Sequence, residues 1–470
     1  MQKVGNIVGY LIKGGTVITE SGEVRADVSI DDQRISAIGK DLPESAERIT
    51  LDATGKYVLP GVIDAHTHFA LRSRGTVTAD DFASGTKAAI CGGVTTVIDF
   101  ADQLQGMTLR EAAQVRIDEA KPHVFADFAL HMTVTKATDN IEKEMEDLLG
   151  LGVGAVKLFT TYRSAGYLLE RDDFARVAKA AHRAGILITV HAEDNNLIEN
   201  IEAQLKSKGM TAPSFHAVSR PAAAEELAIT TTSTILGEAG IPVYFVHVSS
   251  EPGLRAVKAA RRSGYTVYAE TAPHYLVLDS GLYKRDDARE FIMTPPLRGP
   301  RDKDVLWKGI LKGEFDVIAT DHCSFTRKQK AKGTSCFDTL PGIPGVETLL
   351  PLIHHEGVVQ RGMPLSELVR MLSYRPARLF GLYPKKGVIA EGADADIVIF
   401  DPDLEKTISS SSHHSKADYS PYEGMTVKGY PSTVFLRGEI AYDNGKFLGA
   451  PGSGRFVASK GPLGMNNDCR

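Results

Sequence analysis

The feature that most constrains this chain is an alternation. Eight short, apolar, β-rich runs occur at 61–66, 94–99, 127–134, 155–161, 186–191, 243–248, 266–270 and 317–321. Stretches of helical composition separate them. At 78–91, for example, Thr78 and Asp81 read as a capping signature and Gly92-Gly93 as the stop. Segments 174–184 and 222–239 have helical period and composition as well. Strand–helix alternation repeated eight times predicts an α/β fold, a closed parallel (β/α)8 barrel of the TIM kind. The rival is an open doubly wound sheet, but no Gly-rich phosphate loop follows any of the runs.

The two ends have a different texture. Tyr10-Leu11-Ile12 and Thr16-Val17-Ile18 flank Gly14-Gly15, and Asp27-Val28-Ser29-Ile30 and Ile35-Ser36-Ala37-Ile38 continue the strand-and-turn pattern. It returns at Asp396-Ile397-Val398-Ile399-Phe400 and Thr433-Val434-Phe435-Leu436, then at Ala441-Tyr442-Asp443 before the hairpin signal Asn444-Gly445. Neither end can bury a core alone. The economical reading joins residues 1–58 and 385–450 into one small β-sandwich domain around a catalytic barrel at 59–384. Residues 451–470, rich in Gly, Ser and Pro, read as a carboxyl-terminal arm, in part disordered.

A chain of 470 residues with 43% hydrophobic residues can bury a large core. With 54 Lys+Arg against 59 Asp+Glu, the net charge of -5 predicts no affinity for nucleic acid or membranes. Cys91, Cys323, Cys336 and Cys469 form no paired framework, which favours a reducing compartment. The amino terminus lacks the unbroken apolar core of a signal peptide, and no apolar run reaches membrane length. A cytoplasmic protein is the expectation.

On the barrel fold, reactive groups come from the carboxyl ends of different strands. The first run ends in Asp64-Ala65-His66-Thr67-His68, and positions i and i+2 share one side of a strand, so both imidazoles can reach one metal ion. Later ends deliver Lys157, His191, His247 and Asp321. Each has an ordinary alternative: a surface lysine, a satisfied core histidine, a helix cap. An unpaired ammonium on a buried strand is costly, however, so Lys157 must be neutralised or modified. Five strand ends supplying metal-ligand chemistry together leave coincidence a poor explanation.

This set resembles the amidohydrolase superfamily in its two-metal, lysine-containing form. Within it the chain is most similar to the cyclic amidase group, dihydropyrimidinase and hydantoinase foremost, with allantoinase and dihydroorotase as relatives. The resemblance spans nearly the whole length. It includes Gly75-Thr76-Val77-Thr78-Ala79-Asp80-Asp81-Phe82, Glu270-Thr271-Ala272-Pro273-His274-Tyr275-Leu276, Thr294-Pro295-Pro296-Leu297-Arg298 and Ser420-Pro421-Tyr422-Glu423-Gly424. It implies that His66, His68 and Asp321 hold the more buried metal and that His191 and His247 hold the other. Lys157, carboxylated by carbon dioxide to N6-carboxylysine, would bridge them. A hydroxide between the metals would attack the ring amide carbon, Asp321 would carry its proton to the departing nitrogen, and Tyr162 would donate to the oxyanion. The metals implied are divalent, zinc first, with manganese, iron or cobalt also compatible. His322 and His274 are structural or supporting candidates, and His413-His414, in a Ser-rich loop, carry little weight. The resemblance also implies a homodimer or homotetramer.

The substrate class follows from what is missing. Dihydroorotase relatives place an arginine soon after the His-x-His pair to meet the substrate carboxylate. Here His68-Phe69-Ala70-Leu71 has none, and Arg72 and Arg74 are out of register. A neutral ring is favoured, 5,6-dihydropyrimidines and 5-substituted hydantoins, with allantoin as the alternative. A metal-free structural or signalling relative is the reading from another class, and the intact ligand set argues against it. Thr294 and Gly342 fall at family substrate-contact positions but depart from the usual serine and asparagine. The loop 163–171 is shorter than in typical dihydropyrimidinases.

Overall fold

A computed structural model describes residues 9–462 of the chain. Eight strands, Val62–Asp64, Val94–Asp102, Asp127–Thr133, Ala155–Phe159, Leu187–His191, Val243–Phe245, Val267–Thr271 and Val317–Ile318, pair side by side in chain order. Every pairing among them is parallel. Each of the eight apolar runs supplies one strand. Almost every strand residue is buried, as expected of a parallel sheet covered on both faces.

The ring closes between the last strand and the first. Thr67 bridges to His322, and the His68 N–H donates to the His322 carbonyl at 2.8 Å. Below that seam the Thr320 N–H and hydroxyl donate to the two oxygens of Asp64 at 3.0 and 2.5 Å. A carboxylate thus staples the two strands where the regular ladder gives out.

Inside the barrel, alternate residues make one apolar cluster: Ile63, Ile98, Ala129, Ala155, Leu187, Tyr244, Val317 and Ala319, sealed below by Leu379 and Phe380. A larger cluster lies between the strands and the surrounding helices. The helix expected at 78–91 begins later, at Phe82, and its cap is Asp81, which accepts from the Ser84 N–H. Thr78 is instead a loop strut whose hydroxyl accepts from the Leu71 N–H at 2.9 Å. The helices Arg171–Ala184 and Ala222–Glu238 match the other two helical stretches.

The chain ends meet in a seven-stranded sheet. Ile397–Thr407 runs antiparallel to Tyr57–Pro60, which lies parallel to Thr16–Thr19. A four-stranded sheet built around Gly9–Lys13 packs on it through Ile12, Val28, Ile30, Val58, Ile397 and Phe435. From Pro60 the chain passes directly into the barrel through Gly61. A β-carbon there would come within 2.1 Å of the Thr95 hydroxyl, so only glycine lets the strand through. The segment 451–462 runs against the base of the barrel: the Phe128 N–H donates to Arg455 O at 2.9 Å and the Val457 N–H to Phe128 O at 2.7 Å. The rest of the arm, with Cys469, lies outside the described residues. Cys91, Cys323 and Cys336 are buried and free, and no helix among the described residues is long and apolar enough to cross a membrane.

Candidate active site

The candidate residues form the top layer of the barrel interior. Lys157 lies two residues beyond Ala155, His191 four beyond Leu187 and Asp321 two beyond Ala319, each keeping the inward parity of its strand. His66 and His68 do not continue the parity of Ile63 and Ala65. The strand ends at Asp64, and the bend after it turns the even-numbered residues inward. His247 reaches the site through a left-handed backbone at φ 41°, and Asp321 and Tyr162 have φ 50° and 67°. Such conformations cost of order 1–3 kcal/mol each and persist only where the surroundings hold them.

Four imidazoles form an arc. Ring centroids lie 5.1 Å apart for His68 and His66, 5.5 Å for His66 and His247, and 4.6 Å for His247 and His191. At one end, His66 Nε2 and His68 Nε2 converge on the same oxygen, Asp321 Oδ1, each at 3.2 Å. Burial works against ionisation of Asp321, but His66 and His68 hold its carboxyl well below the usual range. Burial drives His66 and His247 far below the ordinary histidine value, which keeps them neutral, the form that binds metals.

Lys157 sits beneath this arc, 2% exposed, with Nζ 5.3 Å from the ring centres of both Phe100 and Phe159. It makes no ion pair with any of the described residues. Burial lowers its amine to about 8, against the pull of Asp321 and Glu270. Near neutral pH such an amine is neutral far more often than an ordinary lysine.

Three supports were not singled out from the sequence. Glu270, on the seventh barrel strand, lies 2.8 Å from His66 Nδ1, accepts the His247 N–H at 3.0 Å and accepts the Tyr244 hydroxyl at 2.7 Å. Burial raises its carboxyl to about 7. Glu193 lies 2.8 Å from His191 Nε2 and is held by Arg220 at 2.6 Å. Asp64, the seam staple, also accepts the His66 N–H at 3.3 Å. An acidic residue inside an apolar strand, as in Tyr268-Ala269-Glu270-Thr271, was the available signal for Glu270.

Tyr162 follows the fourth barrel strand, with its ring 5.2 Å from that of His191 and its hydroxyl hydrogen-bonded to Thr294 Oγ1. The Gly342 N–H donates to Ile292 O at 2.9 Å, so what Gly342 offers a ligand is its carbonyl. A β-carbon at Gly342 would meet Cys323 O at 2.4 Å, and its φ of 142° is a glycine conformation. An asparagine would need this loop rebuilt. His322 faces elsewhere: its Nδ1 accepts the Gly345 and Val346 N–H groups, and its Nε2 lies 3.0 Å from Asp80. His274 is buried with both ring nitrogens unpartnered.

His66, His68 and Asp321 offer ligand atoms all within 4.8 Å of one another. His68 Nδ1 is buried without a partner. Imidazoles beside a carboxylate fit a divalent ion. The other carboxylate cluster, Asp127, Asp394 and Asp396, already surrounds the Lys386 ammonium.

The sequence profile described as "Amidohydrolase family" matches residues 57–441. A D-hydantoinase of Ralstonia pickettii is 39% identical over 451 residues, covering 95% of this chain and 98% of that protein. One from Geobacillus stearothermophilus is 38% identical over 467 residues, covering 97% and 98%. Among solved structures, the dihydropyrimidinase of Brevibacillus agri superposes with a TM-score of 0.94 at 36% identity, covering 97% of this chain and all of that one. Profile, full-length likeness and the strand-end donors agree: the chain belongs to the amidohydrolase family.

Proposed function

We propose that this chain opens cyclic amides by hydrolysis, taking 5,6-dihydropyrimidines and 5-substituted hydantoins to N-carbamoyl amino acids. The relatives are named for hydantoins and the structural neighbour for dihydropyrimidines. Those names do not favour allantoin. A ring bearing a carboxylate is disfavoured too: the position after His68 is the fully buried Phe69, not an arginine.

The observation that carries the reading is Lys157, buried beside four imidazoles and Asp321 and without an ion-pair partner among the described residues. Its neutral amine would add carbon dioxide and lose a proton, giving a carbamate. In this reading His66, His68 and Asp321 would hold one divalent ion, His191 and His247 would hold a second, and Lys157, as a carbamate, would serve both. Bound, the ions supply Lewis acidity that makes water nucleophilic near neutral pH and polarises the ring carbonyl. Zinc is the proposed metal; manganese, iron or cobalt suit the same donors. Glu270 and Glu193 fix the ring orientations of His66 and His191. Asp321 accepts the proton of the attacking water and returns it to the leaving nitrogen. Tyr162 Oη, aligned by Thr294, donates to the carbonyl oxygen as charge gathers there. Main-chain groups at Thr294 and Gly342 meet the imide edge.

Metal analysis followed by a panel of dihydrouracil, phenylhydantoin, allantoin and dihydroorotate tests this. The first two are expected to turn over on protein carrying about two metals per chain. Turnover of dihydroorotate alone would overturn the substrate reading. A cytoplasmic homodimer or homotetramer completes the proposal, supported by free buried thiols and by the family resemblance.

A further inference from the structure

Lys330 is a second buried lysine near the mouth of the site, and the mechanism above does not use it. It is 1% exposed and ends the single-turn helix Arg327–Lys330. Its Nζ donates to Ile292 O at 2.8 Å and to Leu340 O at 3.2 Å. These carbonyls stand two residues before Thr294 and two before Gly342. The same two segments are joined directly by the Gly342 N–H on Ile292 O. His216 holds the next residue of the first segment, its Nε2 lying 2.8 Å from Met293 O.

We propose that Lys330 is a positioning residue: its amine ties the Ile292–Thr294 segment to the Leu340–Gly342 segment and so fixes the spacing of the main-chain edge that meets the substrate ring. The inference rests on the ring-opening reading and on the placement of Thr294 and Gly342 at that edge.

Position and chemistry both support it. A methionine would fill the same volume without the cost of burying an amine. That cost is visible here, since burial pulls the Lys330 amine down to about 7. The charged or titratable groups facing it are Glu290 and the Cys323 thiol, with His216 beyond, and Glu290 is already engaged by Arg327 at 2.6 Å. Without an ion pair of its own, the amine spends its donors on two carbonyls that flank the substrate edge. A donor kept where an apolar side chain would fit more cheaply marks a site where geometry outweighs stability.

The test compares wild type, Lys330→Met and Lys330→Gln, which keeps two N–H donors on a shorter stem. Steady-state kinetics are run on the six-membered dihydrouracil and the five-membered hydantoin, with metal content and thermal midpoint measured alongside. Lys330→Met is expected to raise KM about tenfold or more while kcat moves less than about threefold. The ratio of kcat/KM between the two ring sizes is expected to change at least about fivefold, metal content to hold, and Lys330→Gln to fall between. An unchanged ratio and KM in the variants would overturn the proposal. So would parallel loss of metal, kcat and both activities, which is the signature of a merely structural role. If Lys330→Met yields no folded protein, the ring-size ratio of Lys330→Gln decides alone. Wild type that opens neither ring would overturn the reaction reading; wild type that opens both, with variants of unchanged ratio and KM, overturns only the role of Lys330.

Discussion

Lys157 and Lys386 are equally buried, at opposite ends of the same barrel, and their surroundings are opposites. Lys386 lies at the base, with Nζ 2.5 Å from Asp127, 2.6 Å from Asp396 and 3.0 Å from Asp394. Arg437 joins the cluster through Asp127, and Arg455 donates its main-chain N–H to the same carboxylate at 2.8 Å. Strand, small domain and carboxyl-terminal arm are clasped there by charge. Lys157, at the mouth, has ring faces and imidazoles for neighbours and no ion pair among the described residues. A buried amine ringed by carboxylates, like Lys386, becomes structure. Lys157, which pairs with no carboxylate among the described residues, is pushed by burial toward the neutral form against the pull of Asp321 and Glu270. The chemistry at the mouth depends on the partners that the fold withholds.

The largest test of this contrast is Lys157→Ala. Turnover is expected to fall by at least about 10³-fold together with metal content, and short carboxylic acids should restore part of both. Elemental analysis beside rate measurement checks it; full retention of metal and activity would make the two lysines alike. Lys386→Ala should act on the other side of the comparison. It removes the ammonium that three carboxylates share, leaving Asp127 to Arg437, and is expected to cost about 3–5 kcal/mol in denaturant unfolding, while folded protein keeps its metal. Selective metal loss in that variant would mean the base clasp serves the mouth. The smallest effect is expected from Glu270→Gln, which weakens the acceptor beside His66. Metal affinity should drop about 10–100-fold in chelator competition, with the fold intact.

The local parts of this arrangement are legible in the sequence. Eight apolar runs become eight strands because a two-sided buried strand must be apolar throughout. Asn444-Gly445 forms the expected hairpin turn, with φ 44° and 89°. Even the pairing of the chain ends follows from strands that could bury nothing alone. What stayed hidden is set by partners distant in sequence. Glu270 meets His66 across 204 residues and Lys386 meets Asp127 across 259, and no local pattern encodes either bond. The helix starts at Phe82 rather than at Thr78 for a similar reason. Thr78 has the chemistry of a cap, but its hydroxyl is spent across the loop on Leu71, and Asp81 caps instead. His66 and His68 were paired by strand parity, whereas the structure turns them inward just after their strand has ended.

The seam of the barrel has a consequence for how such a protein comes into being. The strand made first carries His66 and His68, and the strand made last carries Asp321. The links between them include the Thr67–His322 bridge, the His68–His322 hydrogen bond and the Asp64–Thr320 staple, and His66 and His68 both meet Asp321. A growing chain that has not yet produced residues 317–322 lacks Asp321, the carboxylate on which His66 and His68 converge. Completion of the His66–His68–Asp321 cluster therefore coincides with closing the ring.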